Sequence, residues 1–216
     1  MDKEVEKINE NLRTGVWTDL CQLMKDYNSD KSNIHNYTKA YQALFSDIKL
    51  SVENVLEIGI GTNNTDVLSS MGPGGTPGAS LRGWRDYFKN AQIWGCDVDK
   101  RILFEEERIT TFYLDQLQDD LISFLPNETM FDVIIDDGLH DHAVNFFVLR
   151  KLFKRLKPGG YYIIEDLLKG QQLTSLFSNW NPEIMPELTD YNCVYLDMPG
   201  TSKPDNVLFV IKKNDE

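Results

Sequence analysis

Apolar residues recur along this chain in two rhythms. Over residues 3–27, Val5, Ile8, Leu12, Val16, Leu20, Leu23 and Met24 fall near a 3.6-residue period, which predicts one or two amphipathic helices. A polar link, YNSDKSNIHNYT, separates them from a further predicted helix around KAYQALFSDI. From residue 54 the rhythm changes. NVLEIGIG, AQIWGCDVD, ITTFYLDQ, MFDVIIDDG and YYIIEDL are short apolar runs that predict strands, and most of them end in an acid. Between them, SLRGWRDYF, DDLISFL and HAVNFFVLRKLFKRLKPGG predict helices. The last carries a stripe of Val144, Val148, Leu152 and Leu156, with basic residues crowding its C-terminal half, and Pro158-Gly159-Gly160 is expected to stop it. CVYLDM and NVLFVIKK, parted by PGTSKPD, predict two closing strands.

Strands alternating with helices predict an α/β fold, with a parallel sheet covered on both faces. Ligands of such sheets sit at the carboxyl ends of the strands, where the winding reverses. Here that edge collects Gly59, Gly61, Asp97, Asp115, Asp137, Glu165 and Asp166. Residues 62–80, TNNTDVLSSMGPGGTPGAS, form a long Gly/Pro/Ser/Asn-rich connection of the kind used as a lid or binding loop.

Composition narrows the partners. The formal net charge of −12 disfavours nucleic acid and anionic membrane surfaces. Cys21, Cys96 and Cys193 are far apart and fit no zinc or disulfide framework; scattered thiols fit a reducing cytoplasmic setting. The charged start MDKEVEKINENL has no apolar signal core, and no apolar run approaches the ~20 residues of a membrane helix.

The candidate chemistry lies at the strand ends. Glu57-Ile58-Gly59-Ile60-Gly61 is a strand exit whose glycines let a ligand approach the backbone, although Asn64 stands where a full dinucleotide fingerprint would have its third glycine. Asp97, in the same βαβ unit, is placed to accept from ribose hydroxyls, and Asp115-Gln116 to read an adenine edge. Asp136 projects to the other side of its strand from Asp137, toward backbone or cofactor. Asp137 and the pair Glu165-Asp166 end predicted neighbouring strands, ~4.8 Å apart, so their carboxylates should converge. Converging acids repel unless something offsets their charge. An all-oxygen set with no thiolate suits Mg²⁺, Mn²⁺ or Ca²⁺. His140, three residues past Asp137, is the expected general base, with an ordinary pKa of ~6.5. His142 is expected at the surface.

Taken together, VLEIGIG, GASLRGWRDYFKNAQIWGCDVD, FDVIIDDGLH and LKPGGYYIIEDL resemble the class I S-adenosylmethionine-dependent methyltransferases. More narrowly they resemble the metal-dependent sugar O-methyltransferases of macrolide and bacterial polysaccharide pathways. The resemblance covers roughly residues 27–170 and includes the lead-in SDK and HNYT. It implies a Rossmann-like, seven-stranded, mostly parallel sheet with helices on both faces and a C-terminal antiparallel hairpin. It implies S-adenosylmethionine held by Glu57, Gly59, Gly61, Asp97, Asp115, Gln116 and Asp136, with Thr38, Ser80 and Arg82 steadying the cofactor carboxylate or shaping the entrance. It implies Mg²⁺ or Mn²⁺ on Asp137, Glu165 and Asp166, and His140 taking the proton from a sugar hydroxyl. Many relatives have Ser where this chain has Leu139, so any hydrogen bond from that side chain is missing here.

On this basis residues 1–50 are expected to form a helical lead-in or cap, and residues 51–216 the cofactor-binding domain. The acceptor is expected to be a small molecule or saccharide, in a pocket built by the lead-in, the 62–80 loop and residues 169–206, with Trp180 and Tyr191 as candidate stacking surfaces. The amphipathic lead-in also suits pairing of subunits in a homo-oligomer. A catechol-type O-methyltransferase and a cephalosporin-hydroxylase-like enzyme share the fold and stay open as alternatives. An NAD(P)-dependent oxidoreductase would need a fuller glycine fingerprint. A catalytically silent binding module would have no use for the acid and histidine set.

Overall fold

The computed structural model describes residues 2–118, 120–168, 192–198 and 204–215. The lead-in folds as α1 (Asp2–Thr14), α2 (Asp19–Asp26), α3 (Asp30–Asn33) and α4 (Tyr37–Phe45). Gly15, at φ +64°, ends α1 in the left-handed conformation and donates its N–H to Asn11 O at 3.1 Å. The Thr18 side chain then caps α2 by accepting from Cys21 N at 3.2 Å.

The alternating part follows as β1 (Asn54–Ile58), α5 (Ala79–Tyr87), β2 (Gln92–Asp97), β3 (Glu105–Glu106), β4 (Ile109–Tyr113), β5 (Phe131–Asp136), α6 (His142–Leu152), β6 (Leu156–Leu167), β7 (Asn192–Asp197) and β8 (Val207–Lys212). The sheet order is β3-β4-β2-β1-β5-β6-β8-β7. β4, β2, β1, β5 and β6 run parallel; β8 pairs antiparallel with β6, and β7 with β8. The seven expected strands are all present, and the eighth is the two-residue edge strand β3. The chain winds outward through β2 and β4, then returns to the other side of β1 with β5. The carboxyl ends of β1, β2 and β5 therefore flank the switch point, where a crevice forms.

Central strands are buried on both faces, which is why they read as unbroken apolar runs. Alternate residues enter two cores. Val55, Val133, Ile135, Ile163 and Val210 pack with α1, α2, α4 and α5, while Leu56, Ile134, Ile164 and Phe209 pack with α6. The lead-in shares the first core through Ile8, Leu20, Met24, Tyr37, Ala40 and Tyr41.

Two helix expectations are corrected. DDLISFL yields a single 3₁₀ turn, Leu121–Phe124. Seven residues ahead of Pro126 cannot repay the cost of nucleating an α-helix. The stretch from 142 to 160 is helical only to Leu152; a 3₁₀ turn at Phe153–Arg155 follows, and Pro158-Gly159-Gly160 lies inside β6. There the β5–β6 register shifts, from Phe131 opposite Leu156 to Val133 opposite Tyr161, so the glycines form a bulge.

Candidate active site

Gly59 leaves β1 at φ +82°, with its N–H on Cys96 O at 2.8 Å, and an added Cβ would run into the Asp137 carbonyl. Asp137 N in turn donates to Ile58 O at 2.9 Å. The ends of β1 and β5 are thus pressed together, and only glycine fits between them. Beside them opens a cavity of about 460 Å³, lined by Gly59, Gly61, Asp97, Asp99, Asp115, Gln116, Gly138 and His140. A second cavity of about 490 Å³, lined by polar residues including Asn28, Asn33, His35, Ser70 and Asp205, shares Asp30, Ser69, Met71, His140 and Asp166 with the first. Both volumes suit small-molecule ligands.

In the first cavity, Asp97 accepts from Ile60 N at 3.0 Å and Asp99 N at 2.9 Å, and burial raises its pKa above the usual carboxylate range. Asp99, absent from the expected residues, binds Thr62 Oγ1 at 2.6 Å and Asn64 Nδ2 at 2.8 Å, so it ties the 62–80 loop to the end of β2. Gln116 braces the turn after β5. Its Nε2 donates to Asp136 Oδ1 at 2.7 Å and its Oε1 accepts from Leu139 N at 2.8 Å. Asp136 is fully buried, taking a second bond from Asn145 Nδ2 at 3.1 Å, and desolvation raises its pKa to about 6.

The acids at the ends of β5 and β6 converge in two places, and at one of them they face a lysine. Lys31 Nζ lies 2.6 Å from Asp137 Oδ2, 2.6 Å from Glu165 Oε2 and 3.2 Å from Glu57 Oε1. Burial works against its charge, yet these three acids raise its pKa well above the ordinary lysine value. Against burial, Lys31 and His140 hold Asp137 below the usual carboxylate range. Glu165, deeper, is raised by burial despite Lys31. Its other oxygen accepts from the Tyr41 hydroxyl.

Asp137, His140 and Asp166 form a separate group, one ligand atom from each lying within 4.8 Å of the others. His140 Nε2 stands 3.3 Å from Asp137 Oδ1 and 3.5 Å from Asp166 Oδ2. Burial alone would lower the His140 pKa, but these two acids raise it to about 9. His140 and Asp166 have φ of +58° and +56°, a left-handed conformation that costs non-glycine residues about 1–3 kcal/mol and clusters at functional sites. Lys31 meets the carboxylates of Glu57, Asp137 and Glu165, while Asp166 stands apart from it, beside His140. The oxygens of Asp137 and Asp166 that face His140 are hard donors of the kind that hold a divalent cation.

The expected residues therefore divide. Gly59, Gly61, Asp97, Asp115, Gln116, Asp137, His140 and Asp166 line the first cavity. Ser80 lies beside it, in a small cleft with Lys31 and Asp137. Glu57 is fully buried against Lys31 and Trp84, whose Nε1 donates to it at 2.8 Å. Thr38 faces Cys21 Sγ at 3.1 Å, because it lies about 100° around α4 from Tyr37. Arg82 pairs with Glu106 at 2.7 Å and covers Phe104. The Glu165 carboxylate lies with Lys31 and Tyr41, outside the Asp137–His140–Asp166 group. His142, expected at the surface, is half-buried at the start of α6. Residues 169–191 and 199–203, with Trp180 and Tyr191, lie outside the described residues.

No family model matches the chain. Among curated proteins it is 34% identical over 149 residues to 8-demethyl-8-alpha-L-rhamnosyl tetracenomycin-C 2'-O-methyltransferase of Streptomyces olivaceus, covering 68% of this chain and 37% of that protein. It is 34% identical over 158 residues to demethylmacrocin O-methyltransferase of Streptomyces fradiae, covering 71% and 38%. The chain thus spans little more than a third of the length of these relatives. Among solved structures, MycE methyltransferase from the mycinamycin biosynthetic pathway, in complex with Mg, SAH and mycinamycin VI, superposes with a TM-score of 0.65 at 28% identity, covering 92% of this chain and 56% of that one.

Proposed function

Since the chain belongs with the class I S-adenosylmethionine-dependent methyltransferases, beside the sugar O-methyltransferases of macrolide and tetracenomycin pathways, we propose that it methylates a sugar hydroxyl on a small glycoside. The observation that carries this reading is the position of His140. It borders both cavities and stands beside two carboxylates suited to a divalent cation.

The first cavity takes the cofactor. Gly59 and Gly61 line it beside the end of β1, and Asp97 and Asp115 stand farther along it, where ribose hydroxyls and an adenine edge find acceptors. S-adenosylmethionine, when bound there, supplies an electrophilic methyl group. The second cavity, with its amide, hydroxyl and carboxylate lining, takes the glycoside. Asp137 and Asp166 would hold Mg²⁺ or Mn²⁺, with Glu165 one residue away at the same strand end; such an ion lowers the pKa of an acceptor hydroxyl. His140 Nε2 accepts the hydroxyl proton. With Asp137 and Asp166 neutralised, the support that raises the ring's pKa is withdrawn, and the neutral form required of a base is favoured.

We assign the acceptor to small glycosides rather than nucleic acid, in keeping with the net charge of −12, and the protein to the cytoplasm. Among the described residues no helix is long and apolar enough to cross a membrane.

The test is transfer of a labelled methyl group from S-adenosylmethionine to a panel of neutral glycosides. Transfer is expected with Mg²⁺, lost in EDTA and restored by added Mg²⁺. His140→Ala is expected to keep cofactor affinity and to lose turnover by ~10²–10⁴. Transfer indifferent to chelation would remove the metal from the mechanism, and near-parental turnover of the variant would remove His140 as the base.

A further inference from the structure

The lead-in reaches into the acid cluster with two polar groups that the proposed chemistry leaves unused. Lys31 is 2% exposed and Tyr37 is fully buried. Each holds one oxygen of a different carboxylate. Lys31 Nζ takes Asp137 Oδ2 at 2.6 Å, which leaves Asp137 Oδ1 facing His140. The Tyr37 hydroxyl donates to Asp166 Oδ1 at 2.7 Å, which leaves Asp166 Oδ2 facing His140. The same hydroxyl accepts from Asp166 N at 3.3 Å, steadying a residue whose φ is +56°. The Tyr37 ring is itself stacked on His35, centroids 5.0 Å apart. Both carboxylates are thus divided in one way, with one oxygen fixed by the lead-in and the other turned toward a common point.

We propose that Lys31 and Tyr37 are positioning residues that aim Asp137 and Asp166 at a shared divalent cation. This rests on the metal reading given above. Groups that orient metal ligands typically contribute 10- to 100-fold in metal affinity, because a carboxylate free to rotate must be ordered at each binding event. Lys31 offers a sharp discrimination. A lysine that merely competed with a dication for the same acids would, when removed, leave the cation more tightly bound. A lysine that positions Asp137 leaves it more loosely bound. Tyr37 carries no charge, so its removal takes away the hydroxyl's hold on Asp166 without removing a rival cation.

The experiment measures Mn²⁺ affinity of the full chain by the loss of the free-ion electron paramagnetic resonance signal, for the parent, Tyr37→Phe and Lys31→Met. Circular dichroism checks folding, and calorimetry gives S-adenosylmethionine affinity. Tyr37→Phe is expected to weaken Mn²⁺ binding about 10- to 100-fold with cofactor affinity unchanged, a split that general loosening of the fold would not produce. Lys31→Met is expected to weaken Mn²⁺ at least tenfold as well. If Lys31→Met does not fold, Tyr37→Phe decides alone. A parent that binds Mn²⁺ with variants that bind it equally or more tightly overturns the positioning role and leaves the metal reading intact. A parent that binds no Mn²⁺ overturns both.

Discussion

At Gly59 three demands meet: a φ of +82°, an N–H committed to β2, and the Asp137 carbonyl where a Cβ would stand. Gly59→Ala should cost about 1–3 kcal/mol for the backbone conformation alone. The contact with Asp137 adds to that and separates β1 from β5. Denaturant unfolding and cofactor calorimetry should show lower stability and weakened S-adenosylmethionine binding; a variant matching the parent in both would mean that the two strand ends need not touch. The sequence marked this glycine for close approach of a ligand; that the Asp137 carbonyl fills the space was not legible, because the two residues are far apart in the chain. Asp137 and Asp166 were legible because they end predicted neighbouring strands, and His140 because it follows Asp137 by three residues. Lys31 was not. It sits in the polar stretch NSDKSN, which reads as a solvated link, while its partners Asp137 and Glu165 are 106 and 134 residues away. Tyr37 and Tyr41 lie one helical turn apart on α4 and reach Asp166 and Glu165, but aromatic residues at that spacing also describe ordinary core.

Among the elements, the turn from β5 into α6 carries the reacting side of the site, and its geometry depends on a neighbour. Gln116, at the end of β4, holds Leu139 N and the buried Asp136 together. Gln116→Ala leaves both groups without that partner, at about 1–3 kcal/mol for the buried Asp136 carboxylate. Unfolding midpoints should fall accordingly, and turnover should drop because His140 follows Leu139. Unchanged stability would show that the turn is held by α6 alone, through the Asp141 side chain that caps it at 2.9 Å from Ala143 N. Sequence assigned Gln116 to an adenine edge; it lines the first cavity, but its amide is spent on the protein, which the sequence could not reveal. Short apolar runs located the strands and the 3.6-residue period most helices, because burial on both faces of a strand, or on one face of a helix, imposes those patterns. They failed at DDLISFL and beyond Leu152, where chain length and a strand bulge outweigh the pattern.

Across the whole molecule, the acid-rich ends of β1, β5 and β6 are closed on one side by the lead-in, which belongs to the same apolar core as the sheet. One buried lysine meets part of the negative charge there, and the two remaining carboxylate oxygens face His140, where the proposed divalent cation would bind. Crystals grown with Mn²⁺ and S-adenosylhomocysteine, with anomalous diffraction recorded at the manganese edge, address this directly. The account predicts a manganese peak in contact with both Asp137 and Asp166, next to His140, at the mouth of a cavity filled by the cofactor product. A filled cofactor cavity with no manganese on those carboxylates would contradict it.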